Sequence, residues 1–227
     1  MRRFIIFAAA LLFSAALSAQ TWSDSSTALE KYMVPATGEF AVPDKDGFIG
    51  RWLLLEPISK PNRTNTVFTD SYIREAFGQT YFKGQLGDVL PKDGSKVKKL
   101  KLRWHAMDSK LFNVKLFRFA TNLAPEHYGV IFWAATVINC EEDIPDVRLS
   151  VGSNSASMWW IDGKEAVILS GDRRMVMDDC ASERLTLHKG RNVIWGAVIN
   201  GPGMSDFCVR FLDESGNPVT NFTLTTK

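Results

Sequence analysis

The sequence predicts an all-β protein built as an antiparallel β-sandwich of the jelly-roll type. Short runs alternate apolar and polar residues with the two-residue period of a half-buried strand. Turn-forming residues recur about every ten positions between those runs. No helical pattern separates successive strands, as an α/β sheet would require.

The chain begins with Arg2-Arg3, an apolar run from Phe4 to Leu17 and then small residues, the three-part layout of a secretory signal. A membrane-spanning helix needs about 20 consecutive apolar residues, and Ser14, Ser18 and Gln20 interrupt this run earlier. Cleavage is expected after Ala19, with Ser18 as the alternative, giving a signal peptide of residues 1–19 and a secreted or periplasmic protein. No Cys stands at the junction to carry a lipid anchor. Loss of Arg2 and Arg3 lowers the basic count from 27 to 25, equal to the 25 acidic residues. A formally neutral chain argues against a polyanion, nucleic acid included, as the main partner.

Residues 20–46 contain Pro35, Gly38 and Pro43 with weak periodicity, and read as an N-terminal extension carrying one edge strand. Residues 47–227 show no linker, repeat or low-complexity tract and read as one sandwich domain. Phe48–Leu55 and Tyr128–Ile138 are apolar enough for central strands, with Pro57 ending the first. The period-two pattern places Leu100, Leu102 and Trp104 on one face, opposite Lys99, Lys101 and Arg103. Val147, Leu149 and Val151 form a second such stripe, and Phe207, Val209 and Phe211 a third. Asp162-Gly163 marks a two-residue type I′ hairpin turn. Lys189-Gly190 and Asp213-Glu214-Ser215-Gly216 mark further turns. One brief helix is legible from Ser71 to Phe77, with Asp70 as N-cap and Gly78 as its stop.

From Asp146 to Pro218 the chain resembles the galactose-binding-like jelly roll found as noncatalytic modules beside glycoside hydrolases and carbohydrate (acetylxylan-type) esterases. The carrying residues are Val147–Asn154, Trp159-Trp160-Ile161-Asp162-Gly163-Lys164, Leu187–Ile194 and Phe207–Asp213. Phe48–Leu55 looks like the family's opening strand. Asp162 stands where the family more often has Asn, and Asn154 where Asp is common. The resemblance implies a carbohydrate-binding sandwich.

Catalytic signatures are missing from the sequence. It contains no Gly-x-Ser-x-Gly elbow, no His-Glu-x-x-His helix and no phosphate-cradling Gly loop. His127 and His188 fall in turns, and no nucleophile motif accompanies His105. Glu141-Glu142-Asp143 and Asp178-Asp179 are acidic clusters read as solvated loops. Their hard oxygen donors make a structural Ca²⁺ the next reading, ahead of paired-carboxylate hydrolysis. Cys140, Cys180 and Cys208 match no zinc spacing, and export predicts one disulfide with one buried free thiol, its pairing open.

Binding residues are sought among aromatics and strand-end loops. Of seven Trp, Trp52, Trp104 and Trp195 lie in strands with apolar neighbours and read as core. Trp159 and Trp160 are adjacent in one strand and point to opposite faces. With Ile161 facing the core, Trp159 joins it and Trp160 becomes the expected sugar platform. Asn154, Asn200 and Asp206 sit in Gly-containing loops and supply amide and carboxylate groups suited to hydroxyl recognition. Five lysines between Lys92 and Lys101 read as a charged strand edge, with attraction of an anionic glycan as the alternative. The expected function is noncatalytic carbohydrate binding in polysaccharide degradation, with a separate exported hydrolase or esterase as partner. The rival readings are an unrecognised esterase or glycosidase and a structural, protein-binding sandwich.

Overall fold

A computed structural model describes residues 28–123 and 127–227. The expected signal peptide, 1–19, and residues 20–27 lie outside the described residues. The strands are β1 (Met33–Pro35), β2 (Arg51–Leu55), β3 (Ile58–Ser59), β4 (Lys96–Val97), β5 (Leu102–Ser109), β6 (Val130–Cys140) and β7 (Ile144–Asn154). They continue as β8 (Ala156–Ile161), β9 (Lys164–Leu169), β10 (Cys180–Ala181), β11 (Leu185–Leu187), β12 (Gly190–Asn200), β13 (Asp206–Leu212) and β14 (Thr223–Thr225). Two helices, α1 (Asp70–Gly78) and α2 (Leu116–Leu123), accompany them. Neither is long and apolar enough to cross a membrane.

The architecture is the expected all-β antiparallel sandwich. A ten-stranded sheet follows the order β1-β5-β2-β6-β12-β8-β9, with β3 and β14 also on β6 and β4 on β5. A four-stranded sheet places β7 between β13 on one side and β10 and β11 on the other. Between the sheets lies a core that takes Trp52, Trp159, Phe207, Val209 and Phe211 with Val147, Leu149 and Val151. The two stripes predicted from β7 and β13 therefore lie side by side on the inner face of the small sheet, turned toward Trp52 and Trp159 of the large one. β2 and β6 are central, as their continuous apolar runs suggested, and every residue of β2 is buried.

The outer face of the large sheet is also covered. Leu53, Trp104, Trp133, Trp160 and Trp195 pack there against Ile73, Ala76 and Phe77 of α1 and against Phe68, Phe82 and Leu90. Phe82 is the hub, with ring centroids 5.1 Å from Trp104, 5.5 Å from Trp133 and 5.8 Å from Trp195. Trp195 donates its indole N–H to the Gly87 carbonyl at 2.8 Å, which ties the covering segment to the sheet.

Local chemistry sets the boundaries. Asp162 and Gly163 both take positive φ, 49° and 74°, as a type I′ turn demands, and they join β8 to β9. Helix α1 starts one residue earlier than expected, because Thr69 Oγ1 accepts the Tyr72 N–H at 3.3 Å and acts as the cap. Helix α2 was not legible, since Leu116, Phe119 and Ala120 show helical spacing over only eight residues. Lys189-Gly190 makes no hairpin: β11 pairs with β7, whereas β12 pairs with β6 and β8. That turn carries the chain from one sheet to the other.

Candidate functional site

Strand register gathers several chain reversals at one end of the sandwich. Val130 pairs with Asn200, Ile199 with Ala156, and Asp206 with Asn154. Three of the four expected site residues are thus brought to the same end. The side chains of Asn200 and Asp206 work inward. Asn200 is fully buried and donates Nδ2 to the Gly203 carbonyl at 2.8 Å. Asp206 is buried and its Oδ2 accepts from Asn113 Nδ2 at 2.9 Å and from Lys115 Nζ at 2.8 Å. Both are corrected from ligand-binding to loop-fixing residues. Asn154 is half-buried beside a cis peptide to Ser155.

Trp160 requires the larger correction. It points away from Trp159 as strand geometry demands, yet it is only 6% exposed. Its ring stacks on Trp133 at 5.7 Å and 17° and meets Phe77 edge-on at 6.5 Å. Strand geometry sets which face Trp160 occupies, and that face is covered by α1 and the segment around Phe82 instead of being wet.

An open groove of about 640 Å³ lies at this same end, between Pro61, Asn62 and Arg63, the pair Tyr128 and Gly129, and the tip Pro202 and Gly203. Its walls are hydrogen-bonded to one another. Lys60 N–H donates to the Gly129 carbonyl at 2.7 Å, Gly129 N–H to the Gly201 carbonyl at 3.1 Å, and Gly201 N–H to Asn65 Oδ1 at 2.9 Å. Asn65 Nδ2 in turn reaches Asp172 Oδ1 at 2.8 Å. Gly129 has a φ of 60°, and a Cβ there would stand 3.0 Å from Pro61 Cα and Asn62 N. The close approach of these two walls therefore requires glycine.

Tyr128 is the exposed aromatic of the groove, at 52%. Its ring rests on His127 at 4.5 Å and Phe117 at 5.6 Å, so the side chain is supported without being enclosed. Arg63 is exposed and has no ion-pair partner among the described residues. Asn62 is oriented by Tyr72 Oη, which donates to its Oδ1 at 2.8 Å, and by its own Nδ2 donation to the Lys60 carbonyl at 2.7 Å. Sequence reasoning absorbed Tyr128 into the strand that follows. The available signal was Gly129, which separates it from the ladder beginning at Val130.

The remaining candidates are held in structural contacts. Asp178 makes a two-point ion pair with Arg210, with Nε 3.0 Å from Oδ1, and accepts from Ser150 Oγ at 2.6 Å. The Arg210 guanidinium is the main cause that holds its carboxyl below the usual range. Asp179 pairs with Arg173, and Asp143 accepts the Lys189 N–H. Among the described residues no three His, Cys, Asp or Glu side chains converge as a metal site. His105 Nε2 lies 2.9 Å from Glu56 Oε1, and no hydroxyl or thiol nucleophile is bonded to that pair among the described residues.

The expected disulfide is absent, and all three cysteines are free. Cys180 and Cys208 flank β7 opposite Val151 and Gly152, which are consecutive residues. Directly opposed residues share a face and consecutive ones do not, so the two thiols point to opposite sides of the sheet. Cys140 lies at the other end of the fold, paired with Gly190. Burial pushes the Cys208 thiol up to about 12, leaving almost no reactive thiolate at neutral pH. Alkylation of denatured protein without reductant should modify all three cysteines, and native protein should react first at half-buried Cys180. Intact mass measures this directly, and a mass showing two protected cysteines would contradict the geometry.

No family model matches the chain, and no curated protein matches it. Among solved structures it is similar to the PA14 sugar-binding domain from an RTX adhesin, with TM-score 0.42 and 9% identity over 79% of this chain and 100% of that one. The PA14 domain of the MpAFP antifreeze protein gives TM-score 0.44 and 11% identity over 85% and 99%. A GH31 alpha-xylosidase from Xanthomonas citri gives TM-score 0.27 and 10% identity over 50% and 14%. At these identities and scores the likeness places the chain in none of their families.

Proposed function

We propose that this chain is a noncatalytic carbohydrate-binding protein, secreted or periplasmic after removal of residues 1–19, that engages glycan through the Tyr128 groove. The observation that carries the reading is a half-exposed tyrosine ring on the wall of an open groove of about 640 Å³ whose backbone walls are already fixed. Ligand sites are commonly concave and pre-formed, at roughly 300–1,000 Å³. An aromatic face stacks on the apolar face of a sugar ring. Arg63 offers a fork of N–H donors and Asn62 an oriented amide for hydroxyl groups. Pre-fixed walls lower the ordering cost of binding. The chemistry present suits recognition, and the protein would act beside separate exported hydrolases or esterases.

Affinity measurements across soluble xylan, mannan, glucan and pectin, each with and without Ca²⁺, test the reading. Tyr128→Ala should weaken the glycan that binds by about 1–3 kcal/mol, the scale of ring stacking on aromatic side chains, with the melting temperature nearly unchanged. Undiminished binding by this variant would remove the groove from the account, and no binding to any glycan would remove the function.

A further inference from the structure

A second groove, of about 610 Å³, shares no lining residue with the first. Its floor includes Tyr81 and Val97, and its rim carries Lys83, Lys96, Lys98 and Lys99. All four lysines are exposed, and none has an ion-pair partner among the described residues. Carboxylates near this segment are engaged elsewhere: Asp93 Oδ1 accepts the Ala106 N–H at 2.8 Å, and Glu56 accepts from Arg103 N and contacts His105.

Protection of a strand edge does not account for this charge. β4 is two residues long, and Lys98 and Lys99 lie in the turn beyond it, where the Leu100 N–H donates to the Val97 carbonyl at 3.0 Å. Lys96 stands directly across from Arg103 in the β4–β5 ladder. Like charges opposed in this way are destabilising, so the fold carries a local cost that an anion in the groove would relieve.

We propose that this groove binds an acidic polysaccharide, with sugar carboxylates on the lysine rim and ring faces along the Tyr81 floor. The apolar floor suits a sugar chain, whose rings alternate apolar faces with charged groups. Balance between basic and acidic residues in the chain beyond residue 19 disfavours a nucleic acid, which is gripped through a broad basic face. The proposal stands independently of the Tyr128 groove.

Polygalacturonate, its fully methyl-esterified form and single-stranded DNA of matched length serve as probes for the parent chain, for the triple variant Lys96→Gln/Lys98→Gln/Lys99→Gln and for Tyr128→Ala. The triple variant should bind polygalacturonate about tenfold more weakly, as expected for loss of several exposed ion pairs. Parent binding should weaken as salt rises, and the triple variant should lose more of its polygalacturonate binding than Tyr128→Ala does. Equal binding of the triple variant and the parent would overturn the site. Equally tight binding of the methyl ester or of DNA would overturn the ligand class. Loss through Tyr128→Ala alone would assign the polymer to the other groove.

Discussion

Trp160→Ala is expected to destabilise the protein by about 3–5 kcal/mol, as much as Trp159→Ala, because each substitution opens a cavity in a packed core. Trp159 is fully buried between the sheets, with Trp52 at 5.8 Å and Phe207 at 5.0 Å. Its indole N–H donates to Ser157 Oγ at 2.9 Å, and Ser157 Oγ lies 2.7 Å from Ser153 Oγ. Trp160 lies under the outer layer against Trp133 and Phe77. Chemical denaturation of both variants gives the comparison. A Trp160→Ala protein as stable as the parent would mean that the outer layer is not packed on the sheet.

Gly152→Ala should be costly for a different reason. A Cβ at this position would stand 1.7 Å from the Val176 carbonyl oxygen and 3.2 Å from Cys208 Sγ. The obstacle is backbone, so no rotamer change can relieve it, and the loop between β9 and β10 has to move. Overpacking typically costs about 1–3 kcal/mol and occasionally more. This variant is expected at or above the upper end. Displacement of that loop should also uncover Cys208, which contacts Met175 Sδ at 3.7 Å. Faster native alkylation of Cys208 beside a lowered denaturation midpoint is the expected pair of results. Unchanged stability would show that the loop rides loosely over β7.

The strands were legible because alternation reports which residues share a face, and that information is local. Val147, Leu149 and Val151 turn inward together with Phe207, Val209 and Phe211 of the neighbouring strand, as the alternation in each required, and Asp162-Gly163 named its own turn. Alternation carries no information on whether the second face is covered. Here the cover comes from Phe68, Phe77, Phe82 and Leu90, which follow no single period and lie largely in irregular chain. Trp160 was therefore placed on the correct face and in the wrong environment. Asn200 and Asp206 illustrate a related ambiguity. Amides and carboxylates at strand ends can meet a ligand or satisfy loop backbone and neighbouring side chains, and residue type alone does not separate the two uses. Tyr128 was missed because an aromatic residue before an apolar run looks like part of the strand.

The pairing of β6 has a kinetic consequence. One of its edges is completed in segments by β3, β2 and β14, the last through Thr223 opposite Asn139 and Leu224 opposite Ile138. Leu224 also exchanges backbone hydrogen bonds with Ala41. Leu224 must therefore be in place before the central strand can acquire its full set of neighbours, and most of those neighbours come from distant stretches of chain. Pairings of this kind fold slowly, because loop closure precedes the contacts that reward it. Until then the apolar length of β6 stays open to wrong partners, for longer than in a chain whose contacts are mostly local.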